Sequence, residues 1–130
     1  MDVILVPCTQ EKIWDAEPHR GPTPAKDAYM GRAFKTWRAY AESSGCPWFI
    51  LSTGYGLIEP DQPITAYNVP IGRAVKDRVL LAKLAVQGKA LKLDRFDRVV
   101  LLDWEKFQPL VKAAVGDLKV PTVRHPLDYP

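Results

Sequence analysis

The chain has 130 residues, of which 47% are hydrophobic and 25% are charged, and its formal net charge is +3 at pH 7. These values are typical of one globular domain, residues 1–130, and no apolar run approaches the roughly 18 residues that span a bilayer. The opening MDVILVPC carries an acid where a secretory signal needs positive charge, and two cysteines, Cys8 and Cys46, are too few for a disulfide framework. We therefore predict a cytoplasmic protein with reduced thiols and no membrane contact.

The first predicted strand comprises residues 3–6, a continuous apolar run that is typical of a strand buried on both faces of a parallel sheet. Residues 9–24 are polar and rich in proline and glycine, and they predict a long loop of the kind that is often functional. A helix is predicted over residues 25–44, with a stop at Gly45. Its apolar stripe consists of Tyr29, Ala33, Phe34, Trp37, Tyr40 and Ala41.

The second half of the chain predicts a strand, a loop, a helix, a strand, a helix and a strand, at residues 46–52, 54–72, 73–91, 98–103, 104–116 and 119–124. Pro109 is expected to disturb the first turns of the last helix or to mark a late start. Pro121 places the last strand at an edge of the sheet. The residues of the 73–91 helix that are expected to face inward are Val75, Val79, Leu80 and Leu84.

Strands that alternate with helices predict a three-layer α/β/α domain with a mostly parallel sheet of about four strands. In such sheets ligands bind beyond the carboxyl ends of the strands. Two loops leave those ends, after residues 7 and 52, and we expect their side chains to share one rim. The groups that the loops bring there are Cys8, Thr9, Lys12, His19, Lys26, Tyr29, Ser52, Thr53, Tyr55, Asp61 and Tyr67.

The stretch ILSTGYGLIEP, residues 50–60, turns from a buried strand to two glycines that bracket a tyrosine. Gly54 and Gly56 allow a positive φ or a close approach to the backbone, and with Ser52 and Thr53 they can form a nest of N–H donors for a phosphate or carboxylate. Tyr55 is placed to stack on a flat ligand. A tight turn with an aromatic lid is the alternative. The stretch matches neither a Walker phosphate loop nor a dinucleotide-binding glycine fingerprint.

Cys8 follows the first strand, with Lys12 close behind it. A nearby cation or backbone N–H groups favour the thiolate, so Cys8 is a candidate nucleophile, although an idle thiol packed under the sheet edge has the same position. His19 is a candidate base or a surface residue. Cys8, Cys46, His19 and His125 lack the spacing of a zinc site, and no G-x-S-x-G elbow is present. We therefore predict no metal and no cofactor.

Residues 73–98 carry eight Lys or Arg and three Asp, a surplus of 8 − 3 = +5. A solvated helix face has this composition, and so does a surface that follows a nucleic-acid backbone. The segment leaves both interpretations open.

Three blocks of the chain, LVPCTQEK, PAKDAYMGRAF and WFILSTGYGLIEPDQPITAYN, resemble an uncharacterised bacterial, archaeal and phage domain family. Its pattern reads C-[ST]-x-x-K, then a tyrosine block, then L-S-x-x-Y-G-L, and the match covers residues 4–68. The blocks are similar at greater distance to the peroxide-stress YaaA proteins and to the carboxyl-terminal part of archaeosine synthases. The positions that match the family pattern are Cys8, Lys12, Tyr29, Ser52, Tyr55, Gly56, Asp61 and Tyr67.

The resemblance implies a pocket for nucleic acid or its modified bases. The first hypothesis is an enzyme acting on a nucleobase, nucleoside or nucleotide by base transfer or N-glycosidic cleavage. In it Cys8 is the nucleophile or a polar contact, Lys12 stabilises an anion, Asp61 is the acid/base candidate, and Tyr55 and Trp14 stack on the base. Ser52 and the backbone of residues 54–56 hold phosphate or ribose.

The second hypothesis is a DNA- or RNA-binding module without chemistry, which uses residues 73–98 and the corner at Tyr55. The third is a structural protein in which the corner only closes the fold. A homodimer that completes a shallow pocket is also left open.

Overall fold

The computed structural model describes residues 1–124 of the chain. The strands are β1 (Val3–Pro7), β2 (Thr23–Pro24), β3 (Trp48–Ser52), β4 (Gly56–Ile58), β5 (Pro63–Ile64), β6 (Val99–Leu101) and β7 (Thr122–Arg124). The helices are α1 (Ile13–Ala16), α2 (Ala25–Ala28), α3 (Arg32–Ser44), α4 (Ile71–Ala74), α5 (Arg78–Ala90) and α6 (Trp104–Val115). A single 3₁₀ turn, Leu93–Arg95, precedes β6.

Five strands form the main sheet in the order β4-β3-β1-β6-β7, and β2 pairs with β5 in a separate two-stranded ladder. Strand β1 is parallel to β3 and β6, β6 is parallel to β7, and β4 is antiparallel to β3. The crossover connection from β1 to β3 and the connection from β3 to β6 lead in opposite directions across the sheet. Because such crossovers are right-handed, α3 covers one face and α5 and α6 cover the other.

Strand β1 is the centre of the core. Its residues Val3, Leu5 and Val6 have no exposed surface and Ile4 is 2% exposed, as a strand covered on both faces requires. Complete burial of an aliphatic side chain stabilises a fold by roughly 1.5–3 kcal/mol. With β1 fixed between β3 and β6, the carboxyl ends of these three parallel strands meet at one edge of the sheet.

The predicted three-layer α/β class with a mostly parallel sheet is confirmed. The edge position of the last strand is also confirmed, and Gly45 ends α3 with φ +74°. The sheet has five strands where about four were predicted. The strand that was missed is β4, which has only three residues and begins at a glycine. The two predicted loops also contain short elements, α1 and β2 in the first and β4, β5 and α4 in the second.

The single helix predicted over residues 25–44 is wrong, since the chain forms α2 and α3 with a break between them. Tyr29 is extended, with φ −94° and ψ 123°, and pairs with Lys12 in an isolated antiparallel bridge. The Met30 N–H donates to the Glu11 carbonyl oxygen at 2.9 Å. The backbone at residues 29–30 is therefore hydrogen-bonded across to the loop after β1 instead of continuing a helix.

The helix predicted over residues 73–91 also divides, into α4 and α5. The Asp77 carboxylate accepts the N–H groups of Val79 at 3.0 Å and Leu80 at 3.3 Å, which starts α5 at a new N-cap. The new start turns Val79 outward, to 79% exposure, so its predicted inward position is wrong, whereas Leu80 and Leu84 are buried as predicted. Helix α6 begins at Trp104 and continues through Pro109 without a late start.

Candidate functional site

A pocket of about 310 Å³ lies at the edge where β1, β3 and β6 end. Cys8 and Thr53, which follow β1 and β3, and Asp103, two residues after the end of β6, all line it. Strand order reverses here, and in open α/β sheets such a crevice is the usual ligand position. The other lining residues are Thr9, Gln10, Lys12, Ala33, Trp37, Asn68, Val69, Pro70, Ile71, Lys106 and Phe107.

Cys8 is held on the pocket wall by the sheet itself. Its N–H donates to the Leu51 carbonyl oxygen at 2.9 Å, which extends the pairing of β1 with β3 by one residue. The Thr53 N–H points at the Cys8 sulfur at 3.4 Å, and the Thr53 hydroxyl lies 3.8 Å from that sulfur. Cys8 as a whole is 7% exposed. A backbone N–H aimed at sulfur is one of the contacts that stabilise a thiolate.

Lys12 is a buried cation on the same wall, with only 6% of its surface exposed. Its Nζ donates to the Gln10 carbonyl oxygen at 3.0 Å and lies 4.6 Å from the centre of the Tyr67 ring. Within the described part of the chain, no carboxylate oxygen lies within 4.0 Å of Nζ. Burial lowers the pKa of Lys12, while the charges of Cys8 and Asp15 act in the opposite direction.

Behind Lys12, three hydroxyls form a chain. Ser52 Oγ donates to the Tyr67 hydroxyl at 2.7 Å, and the Tyr67 and Tyr29 hydroxyl oxygens are 2.6 Å apart. Burial is the main cause that raises the pKa of both tyrosines, and the charge of Cys8 adds to it. None of these three residues lines the pocket, but the Tyr67 ring supports the Lys12 ammonium that does.

The turn after β3 uses its own polar groups. Ser52 Oγ accepts the N–H of Gly54 at 3.1 Å and that of Tyr55 at 3.0 Å. The nest of N–H donors predicted for an anion is therefore wrong, because two of its donors already bind the serine.

Each glycine of the turn has a packing role. A Cβ at Gly54 would lie 2.5 Å from a carbon of the Tyr67 ring. Gly56 has φ +78°, and a Cβ there would collide with the Gln87 side chain. The Gln87 amide accepts from the Leu57 N–H at 2.8 Å and donates to the Tyr55 and Leu57 carbonyl oxygens. It thus covers the free edge of β4, as edge strands need.

Four of the predicted site residues line the pocket: Cys8, Thr9, Lys12 and Thr53. Thr9 is fixed by its hydroxyl, which accepts the Gly31 N–H at 3.3 Å. Three others, Tyr29, Ser52 and Tyr67, form the hydroxyl chain. The structure therefore brings seven of the predicted residues together around one wall.

The remaining predicted residues lie elsewhere. The Tyr55 hydroxyl is bound to Thr65, at 2.9 Å from its Oγ1, and the Tyr55 ring packs edge-on against Tyr67. The Asp61 side chain is 83% exposed and pairs with Lys26 at 2.7 Å. Trp14 is a core residue that donates to the Gly21 carbonyl oxygen, and His19 is exposed. None of them is among the pocket residues.

Several pocket residues were not predicted. Trp37 was assigned only to the core stripe of its helix, yet it is half-buried and lines the pocket. Asp103 is the second residue after β6 and has the left-handed φ of +54°, and Lys106 lies near the start of α6. The signal that could have found them is their place after the third parallel strand, since its carboxyl end must meet those of β1 and β3.

Among residues 1–124, no group of three or more His, Cys, Asp or Glu side chains is placed to hold a metal ion. His125 of the rejected zinc set lies outside the described residues. Over the same residues, no helix has both the length and the apolar character that crossing a bilayer requires.

The chain is similar to the uncharacterized protein YfjM of Bacillus subtilis (strain 168), with 28% identity over 114 residues, which is 87% of this chain and 76% of that protein. No solved structure matches it. Residues 3–128 match the model of a family of unknown function, DUF6884. That range covers both loops of the pocket wall and confirms the prediction of an uncharacterised domain family. The chain belongs to the DUF6884 family.

Proposed function

We propose that the protein is an enzyme that acts on a nucleobase, nucleoside or nucleotide, with Cys8 as its nucleophile. One observation carries the proposal: Cys8 and the buried Lys12 lie on the same wall of a pocket at the carboxyl ends of the sheet. A thiol beside a cation and a backbone N–H is the usual setting of a reactive cysteine. Burying a cation without a carboxylate partner destabilises the fold, so the presence of such a cation at a pocket favours a functional role for it.

The other walls of the pocket suit a flat, polar ligand. Trp37 is an aromatic residue of the lining, and Val69, Ile71 and Phe107 add apolar surface. Asn68 and Lys106 supply hydrogen-bond donors. A volume of about 310 Å³ lies at the lower end of the range for small-molecule sites. We assign the stacking role to Trp37 rather than to Tyr55 or Trp14, which are not pocket residues.

The chemistry of the proposed reaction divides between two side chains. The Cys8 thiolate donates an electron pair to an electron-poor carbon of the ligand, and a carbon–nitrogen bond breaks as the carbon–sulfur bond forms. The leaving nitrogen keeps the electron pair of the broken bond and takes a proton from the Lys12 ammonium. Water, or an incoming amine in base transfer, then gives a proton to the neutral Lys12 amine as its oxygen or nitrogen bonds to the carbon. The carbon–sulfur bond breaks with its electron pair on sulfur, which restores both the thiolate and the Lys12 ammonium.

The resemblance to the peroxide-stress YaaA proteins and to archaeosine synthases supports the same ligand class. It rests on the blocks around Cys8 and Tyr55, and it implies nucleic acid or its modified bases. Base transfer and N-glycosidic cleavage are therefore the reaction classes we propose. The proposed setting is the cytoplasm, and a homodimer remains a proposal.

A second candidate function is a nucleic-acid-binding module. It is favoured by cations of the 73–98 segment that are exposed and have no carboxylate within 4.0 Å in the described part of the chain: Arg73, Lys76, Arg78, Lys83, Lys89, Lys92 and Arg95. Arg73 belongs to α4, whose first residue, Ile71, lines the pocket. Contacts of such cations with phosphates make affinity fall steeply with salt.

A thermal-shift screen with bases, nucleosides, nucleotides and short oligonucleotides, each at low and high salt, separates the two functions. A ligand at about 100 times its Kd stabilises the fold by roughly 2.7 kcal/mol. The enzyme proposal expects a small ligand to raise the unfolding midpoint at both salt concentrations. If only oligonucleotides raise the unfolding midpoint, and high salt abolishes this increase, the result would support the binding module instead.

Three variants locate the effect. Trp37→Leu is expected to lose the shift, and Tyr55→Phe, outside the pocket, is the matched control that keeps it. Cys8→Ser should retain the shift but lose all turnover in an assay of base release. A screen in which no member of these ligand classes shifts the wild-type midpoint would contradict both proposed functions.

A further inference from the structure

We propose that the Asp103 carboxylate binds the ribose hydroxyls of the ligand beside Cys8, so that the protein takes ribonucleosides or ribonucleotides in preference to their 2′-deoxy counterparts. The inference rests on the proposed function, because it takes the ligand to be a nucleoside or nucleotide that Cys8 attacks at the sugar. It goes beyond that function by naming the sugar and the residue that selects it.

The register of the sheet places Asp103 beside Cys8. Strand β1 pairs with β6 in a parallel register that joins Leu5 to Leu101. The pairing continues past β6, where the N–H of the next residue donates to the Leu5 carbonyl oxygen at 3.3 Å. Counted on by two residues, the same register puts Asp103 at the level of Pro7, the residue before Cys8. Cys8 and Asp103 also line the same pocket.

Asp103 is the acid of the pocket lining, since no other carboxylate is among the pocket residues of the described chain. It is the N-cap residue of α6, yet within the described chain its side chain makes no capping hydrogen bond to that helix. Asp77, at the same position of α5, accepts two. A carboxylate has about four acceptor positions, so a contact of Asp103 within the protein still leaves it acceptors for ligand hydroxyls.

The backbone at Asp103 is left-handed, with φ +54° and ψ 57°. In the described chain only one other non-glycine residue has a positive φ, the exposed Lys92. This conformation turns the chain from β6 into α6 at the pocket. Aspartate and asparagine adopt it more readily than most residues, so Asp103→Asn changes the charge without a new demand on the backbone.

A carboxylate beside Cys8 is expected to meet the sugar of the ligand. In N-glycosidic cleavage and in base transfer, the sulfur attacks the sugar carbon that carries the base nitrogen, and the 2′-hydroxyl is on the adjoining carbon. Accepting from this hydroxyl holds the reacting carbon at the sulfur. In glycoside hydrolysis, hydrogen bonds of this kind strengthen as positive charge develops on the sugar. An acidic residue also binds the ribose 2′-hydroxyl in dinucleotide-binding α/β folds.

The test compares the four common ribonucleoside 5′-monophosphates with their 2′-deoxy counterparts, by isothermal titration calorimetry. For each base that binds, we expect the wild type to bind the ribonucleotide about 10- to 100-fold more tightly, the usual worth of a hydrogen bond to a charged group. Asp103→Asn should reduce this ratio to about threefold or less, because a neutral acceptor forms a weaker bond.

Two further variants complete the comparison. Asp103→Gly suits the left-handed backbone best and should reduce the ratio in the same way. Asp61→Asn removes an exposed acid that is not a pocket residue, and it is the matched control that keeps the wild-type ratio. Circular dichroism shows which variants are folded.

Equal binding of ribonucleotides and deoxyribonucleotides by the wild type, or binding of free bases alone, would overturn the inference while the proposed function stands. A ribonucleotide preference that persists in a folded Asp103 variant would also overturn it, since another residue would then select the sugar. If no base, nucleoside or nucleotide binds, the proposed function itself fails and the inference fails with it.

Discussion

The loop after β1 and the turn after β3 lie side by side, but they use their polar groups differently. In the turn, the amides of Gly54 and Tyr55 bind Ser52, and the Tyr55 hydroxyl binds Thr65. In the loop, the Lys12 ammonium has one oxygen acceptor, the Gln10 carbonyl, and faces a cavity. A polar group whose hydrogen bonds are all made within the protein supports structure. A buried polar group that still has an unused donor or acceptor can bind a ligand.

The difference gives the two glycines a packing role and supports the proposal that the Cys8–Lys12 wall is the functional part. Gly54 makes room for the Tyr67 ring and Gly56 for the Gln87 side chain. Variants of the turn should therefore change the free energy of unfolding, and variants of the wall should change reactivity and ligand binding. Each of the following changes strengthens or breaks this separation.

The largest expected effect on stability is that of Ser52→Ala. The side chain is completely buried and makes three hydrogen bonds, so its loss leaves Tyr67 and two backbone N–H groups without their partner. We expect the free energy of unfolding to fall by about 2–3 kcal/mol, measured by urea denaturation. A loss below about 0.5 kcal/mol would mean that the turn does not depend on its serine.

Gly54→Ala should lower the free energy of unfolding by about 1–2 kcal/mol, because the new methyl group displaces the Tyr67 ring. Gly21→Ala is the matched control, since no atom lies within 4 Å of a Cβ at that position. The same denaturation experiment compares the two. Equal stability of both variants would show that the ring has space to move and that Gly54 is not needed for packing.

Lys12→Met tests the wall. Removing a charge that is buried without a carboxylate partner should leave stability unchanged or raise it by about 1 kcal/mol at pH 7, while the alkylation of Cys8 slows. Because burial lowers the pKa of Lys12 in the folded state, the unfolded chain binds more protons as pH approaches 10.5, and the wild type gains stability relative to the variant. Denaturation at pH 7, 8 and 9.5 should show the free energy of unfolding of the wild type rising relative to that of Lys12→Met. A fall of the wild-type value relative to the variant would contradict this prediction.

The smallest effect is expected for Asp61→Asn. The side chain is 83% exposed and its ion pair with Lys26 lies at the surface, where such pairs contribute about 0–1 kcal/mol. Stability should change by less than about 0.5 kcal/mol, and ligand-induced thermal shifts should not change. A loss of the ligand shift in Asp61→Asn would restore Asp61 to the site as the predicted acid/base residue.

Much of the fold could be predicted from local patterns. The apolar run of β1 predicted a strand buried on both faces, and the alternation of strands and helices predicted the sheet. The two helix breaks could not be predicted from periodicity. One depends on the pairing of Tyr29 with Lys12, which are far apart in sequence, and the other on Asp77, whose capping role competes with an uninterrupted apolar period.

The site could be predicted to the extent that it follows the strand ends. Cys8 and Thr53 were found because they come directly after β1 and β3, and Lys12 because it lies in the loop that follows β1. Tyr55 and Asp61 were assigned to the site from residue type and resemblance, and long-range contacts with Thr65 and Lys26 hold them elsewhere. Trp37 was assigned to the core because a helical stripe does not reveal which of its members borders a cavity.

The most direct measurement is ligand protection of the two cysteines in the native protein, read by peptide mass spectrometry after brief alkylation at neutral pH. The proposed account predicts that Cys8 is labelled faster than the more exposed Cys46 and that a nucleoside or nucleotide that raises the unfolding midpoint slows only Cys8. Labelling of Cys46 alone, with Cys8 inert until the protein unfolds, would contradict it and make Cys8 a structural thiol.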